Sequence, residues 1–366
     1  MMTHITISEV GPRDGLQSVD TILSTEGKLA WIEAEYGAGV REIEVGSFVS
    51  QKLLPQMADT AAVVEGALRH KDLVIAVLVP NLRGCEAAVE AGAHKISIPL
   101  SLSETHSIKN VRRDHAQMLE EIAACQALVD QVPETDRPDF EVGLSTAFGC
   151  TIEGAVEESF VIDMAERVLG LGVAEVGLSD TTGMGNPAQL ERLVTGIWQR
   201  CGESRLTGVH LHNTRGQGLA NALRAVELGI TTLDSSLGGL GGCPFAPGAS
   251  GNIVTEDLVF MLESMGYDTG IDLEALLSVR HDVASCCRRR VVRFYRGGSL
   301  PKHFVTCAAE QLTWRHRRCR SATREPGSGI TRFPSLRPRT SHRLAPPCVQ
   351  RRPNGSRWDH QAARPV

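Results

Sequence analysis

The chain has 366 residues, 42% of them hydrophobic, and a formal net charge of −5 at pH 7. That length suits one large barrel-type domain or two ordinary ones, and the lack of any run of about 18 apolar residues argues against a membrane span. The small net charge conceals two unlike polypeptides. Beyond residue 282 there are 18 Arg and one Lys against three acids (Glu310, Glu325, Asp359), which leaves 19 basic and 40 acidic residues in 1–282.

Met1 to Val10 has neither the layout of a signal peptide nor that of a transit peptide, so a cytoplasmic protein is expected. The ten cysteines are scattered, form no CxxC pair and bring together only the adjacent Cys286 and Cys287. They read as reduced thiols and not as a zinc module.

In chain order, β-rich runs are predicted at 5–10, 42–48, 73–80, 95–100, 140–148, 174–180, 207–213 and 231–236. Amphipathic helices are predicted between them at 26–39, 58–70, 85–93, 112–132, 156–172, 187–201 and 217–229, several closing on glycine. Two short helices follow within 255–277. Eight strands alternating with helices predict an α/β fold, a (β/α)8 TIM barrel, with a short C-terminal helical segment. The competitor, an open doubly wound sheet, would show a Gly-rich phosphate fingerprint after its first strand. Here that position reads "GPRDGLQ". The division expected is a catalytic domain over 1–282, an atypical end of that domain over 283–304, and a basic, disordered tail over 305–366.

Reactive groups of a barrel enzyme lie at the C-terminal ends of its strands. The first predicted strand leads to Arg13 and Asp14, the second carries Glu44, the sixth ends at Asp180, and the seventh holds His210 and His212. The eighth leads into "GGLGGCPFAPGASGN", with Cys243 and Asn252. On a strand, residues two apart share a face, so the two imidazoles suit a divalent metal, with Asp14 and Asn252 as oxygen donors; Mg²⁺ or Mn²⁺ fits such a set at least as well as Zn²⁺. The plainer reading of the pair is two buried, hydrogen-bonded histidines. Arg13 and Asp14 read equally as an ion pair. Glu44, between Ile43 and Val45, points inward and either pairs with Arg13 or serves the chemistry. Asp180 either caps the segment after it or contacts substrate, and Cys150 reads as a packed small hydrophobe.

"EVGPRDGLQ", "IEVGSFVS", "PQMAD", "LSDTTGMGNP", "HLHNTRGQGLAN" and "GGLGGCPFAPGASGNIVTEDLV", in this order, resemble the hydroxymethylglutaryl-CoA lyase family of metal-dependent barrel lyases. The likeness runs from about Ile5 to Leu277, with a faint echo at "GSLPKHF". It implies cleavage of 3-hydroxy-3-methylglutaryl-CoA to acetyl-CoA and acetoacetate, as in leucine catabolism and ketone body metabolism, by a homodimer that needs Mg²⁺ or Mn²⁺. It also implies Asp14, His210, His212 and Asn252 as metal ligands, Arg13 as the stabiliser of the enolate, Cys243 as the catalytic thiol, His210 as a participant in proton transfer, and Glu44 and Asp180 as active-site acids.

The sequence departs from the family pattern at Ser18–Val19, where Asn-Glu is common, at Gly46, where Thr is frequent, at Cys150–Thr151, where "GCP" is expected, and at Asn213–Arg215, where Asp-Thr-Tyr is frequent. These departures leave room for a related 3-hydroxyacyl-CoA such as citramalyl-CoA, cleaved to acetyl-CoA and pyruvate. The Arg-rich tail matches nothing in the family. It reads as a disordered extension, as an out-of-frame read of GC-rich coding sequence or, from a different functional class, as an arm that binds nucleic acid or an anionic surface.

Overall fold

A computed structural model describes residues 3–242 and 251–286. Cys243 and the tail beyond residue 286 lie outside the described residues. Eight parallel strands close into one barrel in sequence order: β1 Thr6–Glu9, β2 Glu42–Ser47, β3 Val74–Leu78, β4 Lys95–Ser101, β5 Asp139–Ser145, β6 Glu175–Asp180, β7 Gly208–Leu211 and β8 Thr232–Ser235. β1 completes the ring by pairing with β8, Ser8 opposite Asp234 and Glu9 opposite Ser235. All eight predicted strands are present, and the fold is the TIM barrel expected from the alternation.

The predicted helices form as α1 Thr25–Gly37, α2 Thr60–Ala67, α3 Leu82–Ala91, α5 His115–Val129, α6 Glu158–Leu169, α7 Pro187–Cys201, α8 Gly218–Leu228, α9 Thr255–Ser264 and α10 Leu273–Cys286. Several of their starts are marked by side-chain caps, as where Asn81, Asp114 and Asn186 accept the N–H three residues on. An unpredicted helix, α4 (Glu104–Val111), starts at a Ser103 cap and ends at Arg112, which is left-handed (φ 58°). Among the described residues no helix is long and apolar enough to cross a membrane.

Two strand ends differ from expectation for local reasons. β5 stops at Ser145 because Thr146 is left-handed (φ 56°), held there by Thr181 Oγ1, which accepts its N–H at 2.9 Å. β7 stops at Leu211, and His212 pairs instead with Asn252 across the barrel's last opening.

The two faces of the strands differ in kind. The outward residues, such as Ile43, Val45, Ile75, Val77, Ile96, Val142, Leu144, Val176 and Leu233, join the hydrophobic core beneath the helices. Residues in register on the other face are mostly small or ionisable. At the N-terminal end of the interior, Lys95 Nζ lies 2.7 Å from Glu141, 3.5 Å from Glu42 and 3.8 Å from Glu175. One ammonium shared by three carboxylates leaves a surplus of acid in a largely buried space, and burial raises Glu141 to about 7 despite Lys95.

The sign of its effect on stability follows from linkage. Because the folded pKa is raised from 4.5, this contribution is complete below about pH 4.5 and is lost as pH rises through about 7. Urea denaturation of Glu141→Gln at a series of pH values is expected to show a flatter decline over that window than the wild type. An unchanged slope would contradict the assignment.

Candidate active site

Immediately after β1, the N–H groups of Arg13, Asp14 and Gly15 converge on the Val10 carbonyl at 3.2, 2.7 and 3.3 Å. This wide turn, started by Pro12, buries Arg13 and Asp14 at the C-terminal rim. Asp14 Oδ1 accepts from Arg13 Nη1 at 2.8 Å and from Gln17 Nε2 at 2.6 Å, while Oδ2 accepts from Asn252 Nδ2 at 2.6 Å. Arg13 is fixed on its other edge by Nε, which donates to Glu44 Oε2 at 2.5 Å. Glu44 therefore points inward and pairs with Arg13. Among the described residues Arg13 Nη2 makes no hydrogen bond and is left available to a ligand.

His210 and His212 come together with Asp14. One donor atom from each lies within 4.8 Å of the other two, and the two Nε2 atoms are 3.1 Å apart. His210 Nδ1 meets Asp234 Oδ2 at 3.0 Å. Against a carboxylate that nitrogen carries the proton, which turns the Nε2 lone pair to the site. His212 Nδ1 lies against the Thr181 backbone without closing a standard hydrogen bond.

Asn252 completes the set. Its Nδ2 faces two acceptors, Asp14 Oδ2 and the Leu240 carbonyl at 2.9 Å, which fixes the amide orientation. Oδ1 is then left buried and, among the described residues, without a partner. A buried oxygen without a partner is costly, and a divalent cation would satisfy it.

The backbone supports this placement. Asn213 N–H donates to the Gly251 carbonyl at 2.9 Å, and Ile253 N–H to Leu211 at 3.0 Å, locking the His212 and Asn252 segments in register. At Gly241 (φ +125°) a Cβ would lie 2.4 Å from Asn252 Nδ2 and 2.5 Å from Asp14 Oδ2. Only glycine lets the chain pass there.

Ionisation of Asp14 and His212 favours metal binding, whereas that of His210 opposes it. Burial works against the Asp14 charge, but Arg13, His210 and His212 hold its pKa below the usual range. Burial, with His210 beside it, lowers His212 to about 4, so its lone pair is free at neutral pH. Burial also opposes protonation of His210, but Asp234 raises its pKa overall. Two imidazole nitrogens, one carboxylate and one amide oxygen suit a divalent cation.

Asp180 is not brought into this set. Its oxygens accept from Met184 N–H at 2.8 Å and Gly185 N–H at 3.0 Å, and burial raises its pKa to about 6. It braces the loop after β6, the capping reading of the sequence. Cys150 is buried, and its Sγ accepts the Ile152 N–H at 3.3 Å.

Sequence reasoning missed Gln17 and Asp234. Gln17 sits three residues after Asp14 in the quoted motif. Asp234 lies on β8 opposite His210, a register that the chain alone does not reveal.

A closed barrel whose C-terminal rim brings Asp14, His210 and His212 together has the architecture of a barrel enzyme. Residues 4–283 match the HMGL-like family model, and the chain belongs to that family, whose members depend on a divalent metal. It is 42% identical over 274 residues to hydroxymethylglutaryl-CoA lyase YngG of Bacillus subtilis, covering 75% of this chain and 90% of that protein. It is 39% identical over 287 residues to a mitochondrial hydroxymethylglutaryl-CoA lyase of Macaca fascicularis, covering 78% and 87%. Among solved structures it is similar to an HMG-CoA lyase from Acinetobacter baumannii in complex with coenzyme A and 3-methylmalate. That match has a TM-score of 0.73 and 40% identity over 81% of this chain and 98% of that one.

Gly241→Ala tests the cradle. Its added methyl group must displace Asn252 or Asp14, so Mn²⁺ affinity measured by calorimetry is expected to fall at least about tenfold. Wild-type affinity would show that the close approach is not needed.

Proposed function

We propose that the protein is a divalent-metal-dependent carbon–carbon lyase that cleaves 3-hydroxy-3-methylglutaryl-CoA to acetyl-CoA and acetoacetate. The observation that carries this reading is the convergence of Asp14, His210 and His212, with Asn252 held to Asp14 through Nδ2 and its Oδ1 unpartnered among the described residues. The names of the relatives support the substrate, and the coenzyme A complex of the A. baumannii structure supports an acyl-CoA ligand. The mixed nitrogen and oxygen donors support Mg²⁺ or Mn²⁺. The homodimer rests on the family resemblance alone.

Asp14, His210, His212 and Asn252 would hold the cation, which when bound acidifies the substrate's 3-hydroxyl and orients it. Once that hydroxyl loses its proton, its electrons form the acetoacetate ketone, and the C2–C3 pair leaves as the enolate of acetyl-CoA. Arg13 keeps its charge because Glu44 and Asp14 offset the effect of burial. Its Nη2 edge stabilises the negative charge where it develops, without reorganisation. Glu44 serves this step by fixing the guanidinium plane. Cys243, two residues beyond Gly241, is the proposed acid that delivers a proton to the enolate carbon. His210, oriented by Asp234, is the second group proposed in proton transfer, and Asp180 acts by bracing its loop.

Most departures from the family pattern are accommodated by contacts within the protein itself. Val19 is buried, and Ser18 Oγ donates to the Gly15 carbonyl at 2.7 Å. Asn213 Oδ1 accepts the Gly218 N–H at 3.1 Å at the start of α8. Arg215 Nη1 donates to the Thr182 and Gly183 carbonyls, each at 3.0 Å. At Gly46 a Cβ would lie 2.6 Å from Thr60 Oγ1, so the frequent Thr has no room.

Steady-state kinetics test the roles. Cys243→Ala is expected to lower kcat by roughly 10²–10⁴ while Mn²⁺ affinity stays at the wild-type value. Arg13→Met is expected to lower kcat by about 10²–10³. Wild-type turnover in either variant would remove that residue from the chemistry.

A further inference from the structure

Glu9 occupies a position where an apolar side chain is expected. It lies on the outward face of β1, beside Ile43 and Ser235 in register, and is fully buried. Placing a carboxyl group there is unfavourable unless its oxygens are well used. Oε1 accepts the Gly11 N–H at 2.8 Å and the Leu237 N–H at 2.9 Å, and Oε2 lies 2.6 Å from Thr255 Oγ1. Thr255 Oγ1 is itself 2.9 Å from Ser235 Oγ.

Each of these three partners is the root of a segment that reaches the site. Gly11 opens the turn carrying Arg13 and Asp14, Leu237 opens the stretch through Gly241 toward Cys243, and Thr255 begins α9 three residues after Asn252. The fit is tight: a Cβ on Gly11 would lie 2.5 Å from Glu9 Oε1.

We propose that Glu9 is a positioning residue that sets the spacing of Asp14 and Asn252 from beneath, by fastening the roots of the β1 and β8 loops to one rigid group. It does not touch substrate or cation. The proposal rests on the reading of Asp14 and Asn252 as ligands. Burial raises Glu9 to about 8, so near neutral pH it carries a proton and glutamine is its close isostere. The amide keeps an oxygen for Gly11 and Leu237 and a hydrogen-bonding nitrogen for Thr255.

The test is Mn²⁺ binding, read by electron paramagnetic resonance, on the full-length wild type, Glu9→Ala, Glu9→Gln and Thr255→Ala, with melting temperatures alongside. Glu9→Ala is expected to weaken binding at least about tenfold, Thr255→Ala to weaken it less, and Glu9→Gln to restore it nearly to wild type. A purely structural role would lower melting temperatures and leave the affinity of the folded variants unmoved, which would overturn the proposal. So would a Glu9→Gln protein as weak as Glu9→Ala. If Glu9→Ala does not fold, Thr255→Ala decides: unchanged affinity overturns the proposal and weakened affinity supports it. A wild type that binds no Mn²⁺ would overturn the metal reading and this proposal together, whereas normal wild-type binding with unaffected variants would overturn this proposal alone.

Discussion

The hydrogen bond from Asn252 to Asp14 joins residues 238 apart in sequence, and the site depends on it. It is possible only because β1 pairs with β8 and brings the first and last loops of the barrel together. It orients the Asn252 amide, leaves Oδ1 without a hydrogen-bond partner among the described residues and demands glycine at position 241. Asp14 is also one end of a buried chain of charge, Glu44–Arg13–Asp14, in which one cation faces two anions. Asp234 adds a further carboxylate at His210. A buried rim with surplus negative charge and two imidazoles is the electrostatic complement of a divalent cation.

The barrel divides its work between its two faces. The outward face supplies the apolar contacts with the helices that stabilise the fold. The interior is polar: the Lys95 cluster lies at one end and the donor set at the other. This arrangement leaves the strand ends free to carry ionisable groups held by neighbours in register, as His210 is held by Asp234. Glu9 and Asp180 show a second use of buried acid, in which a carboxyl group organises backbone N–H groups around the site. The sequence alone could not distinguish that use from chemistry.

Much of the architecture was legible because it rests on periodicity. Runs such as "LVIAVLVP" and "KISIPL" alternate with amphipathic stretches that close on glycine, and each strand appeared within a few residues of its expected span. α4 was illegible because "ETHSIKNV" is short and mostly polar, and its start depends on a serine cap. The candidate ligands were visible as residue types at strand ends, and His210 and His212 do face one another. His212, however, owes its place to a pairing with Asn252 beyond the strand. Gln17 and Asp234 stayed hidden because their roles depend on which oxygen or nitrogen they meet, and that is set by strand register and loop closure.

The most direct test of the account is product analysis with purified full-length protein. 3-Hydroxy-3-methylglutaryl-CoA and citramalyl-CoA are supplied separately, with Mn²⁺ and after chelation. The account predicts equal amounts of acetyl-CoA and acetoacetate from the first substrate, dependent on the metal, and much slower turnover of the second. Undiminished cleavage after complete removal of metal, or a preference for citramalyl-CoA, would contradict it.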